Sequence, residues 1–148
     1  MKITQTVEIR ATAEEVFYWL GDPTRAMGWM TSVSRTEIIE QPPGWIGTTF
    51  RETVEEGGRG TELRGVVTDF VENERMAFHL EGEVNTVDVV WTLRARGEIT
   101  EVLQMAEVRF KGLMRVLILV LAPAFKKKIT AQGQSEFAKL KALCEPGS

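Results

Sequence analysis

Residues 48–110 alternate between segments that read as β-strands and short turns rich in Gly or Asn. Spacing of this kind predicts an antiparallel meander, in which each strand pairs with the next through a hairpin. Two earlier segments, 1–11 and 32–40, also read as strands, so we predict a sheet of about seven strands. The five strand segments of the meander are residues 48–55, 61–71, 75–81, 87–96 and 99–110.

The side chains of the meander sort into two faces. Opposed residues of an antiparallel pair lie on the same face, and successive residues of a strand alternate between faces. If every hairpin loop holds two or four residues, one face is almost entirely apolar. An odd-length loop or a bulge would exchange the two faces from that point onward. The apolar face then comprises Phe50, Glu52, Val54, Leu63, Gly65, Val67, Met76, Phe78, Leu80, Val87, Val89, Trp91, Leu93, Val102, Gln104, Ala106, Val108 and Phe110.

An apolar sheet face of this size has to be covered by another element. Residues 113–144 supply the cover, because their apolar side chains recur at helical spacing. Pro123 is expected to kink this helix or to split it in two. The β-branched residues Val116, Ile118 and Val120 leave a strand as the alternative for residues 113–122. The spaced apolar positions are Leu113, Leu117, Leu121, Phe125, Ile129, Phe137, Leu140 and Cys144.

Two short helices are predicted between the first two strands. The sequence Thr12-Ala13-Glu14-Glu15 has the form of a capping box, in which a hydroxyl caps a helix start and a Glu follows three residues later. This helix ends at Gly21-Asp22-Pro23. A second short helical segment is expected to hold Met27, Trp29 and Met30.

The order of these elements resembles the START-like or SRPBCC superfamily, and within it the polyketide cyclase/dehydrase-like branch. The resemblance rests on VEIRATAEEVFYWLGDPTRAMGWM near the start, on Gly47-Thr48 and on the closing FAKLKALCE. It implies one α+β helix-grip domain over residues 1–148, with a curved antiparallel sheet wrapped around a long C-terminal helix. Members of the superfamily bind lipids, sterols, hormones, polyketides or quinones, activate chaperones, or catalyse cyclisation and dehydration.

The resemblance also implies a mostly apolar cavity between the sheet and the C-terminal helix, of roughly 300–1,000 Å³. Trp45, in the loop before the third strand, is expected either at its mouth or packed over the sheet edge. The predicted ligand-binding residues are Trp29, Phe50, Glu52, Leu63, Val67, Phe78, Leu80, Val89, Trp91, Gln104, Leu117, Leu121 and Phe125.

Glu52 and Gln104 are the polar members of this apolar set, and a buried carboxylate without a partner is costly. Three interpretations of Glu52 are open. It reaches water at the cavity mouth or pairs with an arginine such as Arg25 or Arg115. It fixes the polar end of a ligand together with Gln104. Alternatively, burial raises its pKa and makes it a general acid or base.

Few residues of the chain are suited to catalysis. His79 is the only histidine and is predicted on the outer face, while Tyr18, the only tyrosine, lies on the first helix. We therefore predict no catalytic residue, no metal site and no cofactor. The primary hypothesis is binding or transport of a lipid-, polyketide- or quinone-like molecule. The alternatives are a cyclase/dehydratase-type enzyme and a chaperone-activator-like interaction domain that docks through Val90, Leu103 and Met105.

The net charge of −3 and the pI near 5.3 argue against a nucleic-acid partner. The basic run Lys126-Lys127-Lys128 is interpreted as a solvated helix face, with phosphate or anionic lipid as the alternative. Residues 113–125 are apolar but too short to span a membrane. A single cysteine and an N-terminus without a signal-peptide pattern favour the cytoplasm. A homodimer is a further possible assembly.

Overall fold

The computed structural model describes residues 1–56 and 58–146. Gly57, in the predicted turn at 56–59, and residues 147 and 148, in the predicted domain, lie outside the described part. The strands and helices follow one another in the predicted order. They are β1 (Lys2–Ile9), α1 (Ala13–Leu20), a 3₁₀ helix (Pro23–Gly28), β2 (Val33–Glu40), β3 (Thr49–Glu56), β4 (Arg59–Val71), β5 (Arg75–Glu81), β6 (Asn85–Arg96), β7 (Ile99–Phe110) and α2 (Met114–Cys144).

The seven strands form one antiparallel sheet in the order β1-β7-β6-β5-β4-β3-β2. The predicted meander from β3 to β7 is therefore confirmed. The first two strands occupy the two edges, so α1 and the 3₁₀ helix connect one edge of the sheet to the other. These two short helices share the inner, apolar face of the sheet with α2.

The predicted inner face is confirmed, although one of the four loops differs from the prediction. Val71 pairs with Arg75, so the β4–β5 loop holds three residues, which would exchange the faces. A bulge between Val67 and Asp69 exchanges them back. The two irregularities cancel, and they turn Phe70 inward against Phe17, with ring centroids 5.4 Å apart.

The first short helix begins where the capping box predicts. The Thr12 hydroxyl accepts a hydrogen bond from the backbone N–H of Glu15 at 3.1 Å. The second short helix starts earlier than expected, because Pro23 fixes its first turn and the Asp22 carboxylate caps the N–H of Thr24. Of the three residues assigned to it, only Met27 lies inside; Trp29 follows directly after its end.

The C-terminal segment forms a single helix, α2, which continues through Pro123. Of the two outcomes expected at Pro123, a kink or a split, the split is wrong, and so is the strand alternative for residues 113–122. In its second half, Phe137, Leu140 and Cys144 are buried against the core. Within the described residues, no helix has the length and apolar character that crossing a membrane requires.

Candidate ligand-binding site

Aromatic side chains from four elements meet on the inner face. The Trp29 ring lies 5.4 Å from Trp91 and 6.3 Å from Phe137 on α2, measured between centroids. Phe78 lies 4.9 Å from Trp91 and 6.1 Å from Phe50. We call these five residues the aromatic box. Edge-on and offset contacts at these distances are favourable beyond simple burial.

Gly65 makes room for one wall of this box. A Cβ atom at Gly65 would lie 2.2 Å from the Phe50 ring, because Phe50 on β3 lies across the neighbouring backbone of β4. Only a residue without a side chain allows this approach. Its missing side chain therefore gives Gly65 a structural role in the wall of the box.

The space enclosed beside the aromatic box is about 20 Å³, which holds about one water molecule. It is far smaller than the expected ligand cavity, because the Trp29 side chain fills the gap between sheet and helices. Five of the predicted site residues line it, but Leu121 does not. Its walls are Trp19, Leu20, Asp22, Pro23, Ala26, Trp29, Met30, Phe50, Glu52, Met76, Phe78 and Trp91.

Glu52 is the one carboxyl group in this wall that comes from the sheet, and it is buried. Burial raises the pKa of Glu52 from 4.5 to about 7, and the nearby negative charge of Glu136 on α2 adds to the rise. Arg25, one of its two expected partners, lies instead over the ring of Tyr18 at 3.7 Å and donates a hydrogen bond to the Tyr18 carbonyl. At neutral pH the Glu52 carboxyl therefore holds its proton far more often than an exposed glutamate does.

Two further polar groups stand close to Glu52. Thr36 on β2 is directly opposite Glu52 in the sheet, and Trp29 lines the same cavity. Among the described residues, neither the Thr36 hydroxyl nor the Trp29 indole N–H has a hydrogen-bond partner, although both are buried. Buried polar groups without partners are rare and call for an explanation. Thr36 is absent from the predicted site, although the alternation of the β2 segment places it on the same face as Ile38.

Gln104 does not join Glu52, from which β4, β5 and β6 separate it. Its side-chain oxygen accepts a hydrogen bond from the Trp91 indole N–H at 2.8 Å, and its nitrogen donates to Gln5 at 3.3 Å. Gln5 in turn donates to the Thr130 carbonyl of α2 at 2.9 Å. This chain of hydrogen bonds ties α2 to the sheet.

The remaining predicted residues lie on the inner face or on the first half of α2. Leu63, Val67, Leu80 and Val89 belong to the core cluster or pack against it. Phe125 contacts Phe110 with ring centroids 5.3 Å apart, while Leu117 and Leu121 are exposed. The sequence missed Trp19 and Met76 as wall residues, because helix and strand periodicity shows that a residue is buried but not beside which gap.

The other residues singled out in the sequence lie away from this cavity. His79 is on the outer face, where its Nδ1 contacts Asp88 at 2.7 Å, and that contact raises its pKa. Trp45 stacks on Phe70 of β4, with ring centroids 5.8 Å apart. Of the suggested outer docking patch, Met105 is exposed while Val90 and Leu103 are partly covered.

Solved structures with the same architecture are numerous. A START superfamily protein from Mycobacterium smegmatis superposes with a TM-score of 0.82 at 19% identity, covering 99% of both chains. A protein from Thermus thermophilus reaches 0.81 at 16% identity over 97% of both. The Zhui aromatase/cyclase from Streptomyces sp. R1128 reaches 0.78 at 15% identity, over 97% of this chain and 93% of that one.

At these identities the likeness establishes the fold, which is the START or helix-grip fold. No curated protein matches the sequence. A family model described as polyketide cyclase/dehydrase and lipid transport matches residues 1–145, nearly the whole chain. The chain therefore belongs to the polyketide cyclase/dehydrase and lipid transport family.

Proposed function

We propose that this protein binds or carries a small, mostly apolar molecule on the inner face of its sheet, with the polar end of the molecule held at Glu52. The observation that supports the proposal is the burial of three polar side chains: Glu52 and Trp29, which line the cavity, and Thr36, which pairs with Glu52 between β2 and β3. Glu52, Thr36 and the Trp29 indole are buried there at a cost that a ligand oxygen would offset.

The chemistry of the three groups defines the ligand's polar end. The Trp29 N–H only donates a hydrogen bond, whereas the Thr36 hydroxyl and a protonated Glu52 can both donate and accept. A carbonyl or hydroxyl oxygen suits all three. A carboxylate suits them less well, because Glu52 and Glu136 already place negative charge here. A polyketide- or quinone-like molecule, or a lipid with a neutral polar end, meets this requirement.

A ligand of this class needs more room than one water molecule, so the Trp29 ring has to turn aside on entry while its indole N–H stays within reach of the ligand's polar end. This residue lies just after the 3₁₀ helix and belongs to no strand. Beyond the aromatic box, the inner face continues over Leu63, Val87 and Phe110, which are only partly buried. We propose that the apolar body of the ligand extends from Glu52 along these residues, beneath the first half of α2.

The substitution Glu52→Gln tests the role of the carboxyl group, because it keeps the shape and most hydrogen bonds but removes the titrating proton. Binding of the quinone menadione, followed by quenching of tryptophan fluorescence, should persist with little change in affinity and lose its pH dependence near pH 7. Glu55→Gln, an exposed position on the same strand, is the matched control and should behave as the wild-type protein. Equal quenching by menadione of wild type and of the bulkier variant Val87→Phe, which lies on the proposed path of the ligand, would contradict the proposal.

An enzyme of the cyclase or dehydratase type is the second candidate, and the raised pKa of Glu52 favours it. A carboxyl group whose pKa is raised toward neutral pH can both take and return a proton, as enolisation or dehydration requires. In that case Glu52→Gln would abolish turnover of a polyketide-like substrate while leaving its binding intact. Loss of binding together with turnover would argue against the catalytic role.

A further inference from the structure

The first half of α2 presents an apolar face to the outside of the molecule. Leu113, Val116 and Val120 recur at spacings of three and four residues, and Leu117 and Ala124 continue the same face. Leu113, Val116 and Val120 are 74%, 62% and 82% exposed. This set of five residues, which we call the outward face of α2, extends over roughly 17 Å of helix.

The outward face continues onto a neighbouring turn. Val84, in the β5–β6 loop, is half exposed, and its carbonyl accepts a hydrogen bond from the N–H of Lys111 at 2.8 Å. That contact places Val84 beside the start of α2. Leu119, on the adjoining side of the helix, is 79% exposed. Exposed apolar side chains grouped on one side of a helix in a folded protein mark a contact site.

The charge around this face is opposite in sign to that of the rest of the chain. Residues 111–135 carry five cations and no acidic residue, whereas the whole chain has a net charge of −3. The remaining residues therefore carry −8. Three of the five cations are Lys126, Lys127 and Lys128, which directly follow the apolar face and are all exposed. An apolar helix face bordered by lysines is complementary to the surface of an anionic bilayer.

A second copy of this chain fits the same face less well. If two α2 helices packed antiparallel, the three lysines of each would approach Arg115 and Lys111 of the other. If they packed parallel, the two lysine runs would meet. Either arrangement brings like charges together beside the apolar contact, which is unfavourable.

We propose that the first half of α2 docks on the surface of an anionic lipid bilayer, with the outward face in the interface and the lysine run on the lipid phosphates. The helix lies along the surface and does not cross it. This docking is independent of the ligand proposed above, because none of the five residues of the outward face lines the cavity beside Glu52.

Co-sedimentation of the full chain with vesicles tests the proposal. We expect binding to vesicles of phosphatidylcholine mixed with phosphatidylglycerol, weaker binding to phosphatidylcholine alone, and release at high salt. The triple variant K126Q/K127Q/K128Q should lower the partition coefficient on the order of 100-fold. The variant Val120→Glu should abolish binding, and circular dichroism should show that both variants are folded.

Two control variants test whether vesicle binding depends specifically on the outward face of α2 and the lysine run. Ile39→Glu changes an exposed apolar residue on β2, and R10Q/R94Q/K139Q removes three exposed charges elsewhere. Both should bind vesicles nearly as the wild type does. The proposal is overturned if the wild type ignores phosphatidylglycerol vesicles, or if the controls lose as much binding as the α2 variants. It is also overturned if light scattering shows a dimer that Val120→Glu splits into monomers, since a second copy would then cover the face.

Discussion

The two halves of α2 have the same secondary structure but different surroundings. The second half is docked: Phe137 and Leu140 are buried, and Glu136 accepts a hydrogen bond from the N–H of Thr31 at 2.8 Å. The first half exposes Leu119 and its neighbours although it is the more apolar of the two. Hydrophobicity alone therefore does not decide which part of a helix is buried; the position of the sheet beneath it does.

The largest expected effect comes from making the same substitution, leucine to alanine, in each half of α2. Leu140→Ala removes a side chain with no exposed surface and should cost about 3–4 kcal/mol of unfolding free energy. Leu119→Ala, on the exposed half, should stay within about 0.5 kcal/mol of wild type. Urea denaturation of both variants measures the difference. Equal costs would mean that the first half of α2 also packs on the core in solution.

The docked half also affects Glu52, through the charge of Glu136. The folded-state pKa of Glu52 is about 7 against 4.5 when unperturbed, so between these values the folded protein holds a proton that the unfolded chain has lost. Stability should therefore fall as pH rises from about 4.5 to 7, by roughly 3 kcal/mol. Urea unfolding at pH 5 and pH 8 measures this change.

Two variants sharpen this prediction. Glu52→Gln should remove most of the fall in stability, leaving the part that comes from the raised pKa of His79. The variant should therefore be more stable than wild type at pH 8. Glu136→Gln should lower the pKa of Glu52 and reduce the fall without removing it. Glu55→Gln, on the outer side of the same strand, should keep the wild-type dependence. A Glu52→Gln protein that loses stability between pH 5 and pH 8 as steeply as wild type would contradict the burial of this carboxyl group.

A smaller effect is expected at Gly133, where the docked half lies closest to β1. A Cβ atom there would lie 2.0 Å from the Gln5 side-chain oxygen, so Gly133→Ala has to displace Gln5 from its hydrogen bond to Thr130. The gain in helix propensity, about 1 kcal/mol, should be offset by that loss. In a Gln5→Ala background the same substitution should stabilise by about 1 kcal/mol. An identical effect in both backgrounds, measured by urea unfolding, would show that the contact does not hold α2 in place.

The fold could be predicted from the sequence because its signals are periodic and repeated. Alternation through β3 to β7 indicated the correct inner face, and Thr12 with Glu15 indicated the start of α1. The bulge after Val67 has no comparable signal, since it depends on how β4 meets β5. The inner face was still predicted correctly, because the bulge and the three-residue loop at 72–74 each exchange the two faces and so cancel each other.

The candidate site could be predicted only in part. Strand parity singled out Glu52 as a polar residue on an apolar face, and its raised pKa is consistent with that burial. Parity placed Gln104 and Trp91 on one face, and the two-residue turn at 97–98 sets them directly opposite each other. It could not show that Gln5 would also bind Gln104, because the pairing of β1 with β7 has no local signal in the sequence. Nor could it show that Trp29 would fill the space beside Glu52, because the path of the chain after the 3₁₀ helix depends on tertiary packing.

The central claim is that an apolar molecule with one polar end occupies the inner face at Glu52. Native mass spectrometry of the protein isolated from its own host tests it most directly, compared with Glu52→Leu and with Glu55→Leu as the matched control. We expect a wild-type mass above that of the bare chain, an adduct released on denaturation, the same adduct on Glu55→Leu and much less on Glu52→Leu. Bare chain in all three samples, or equal adduct on all three, would contradict it.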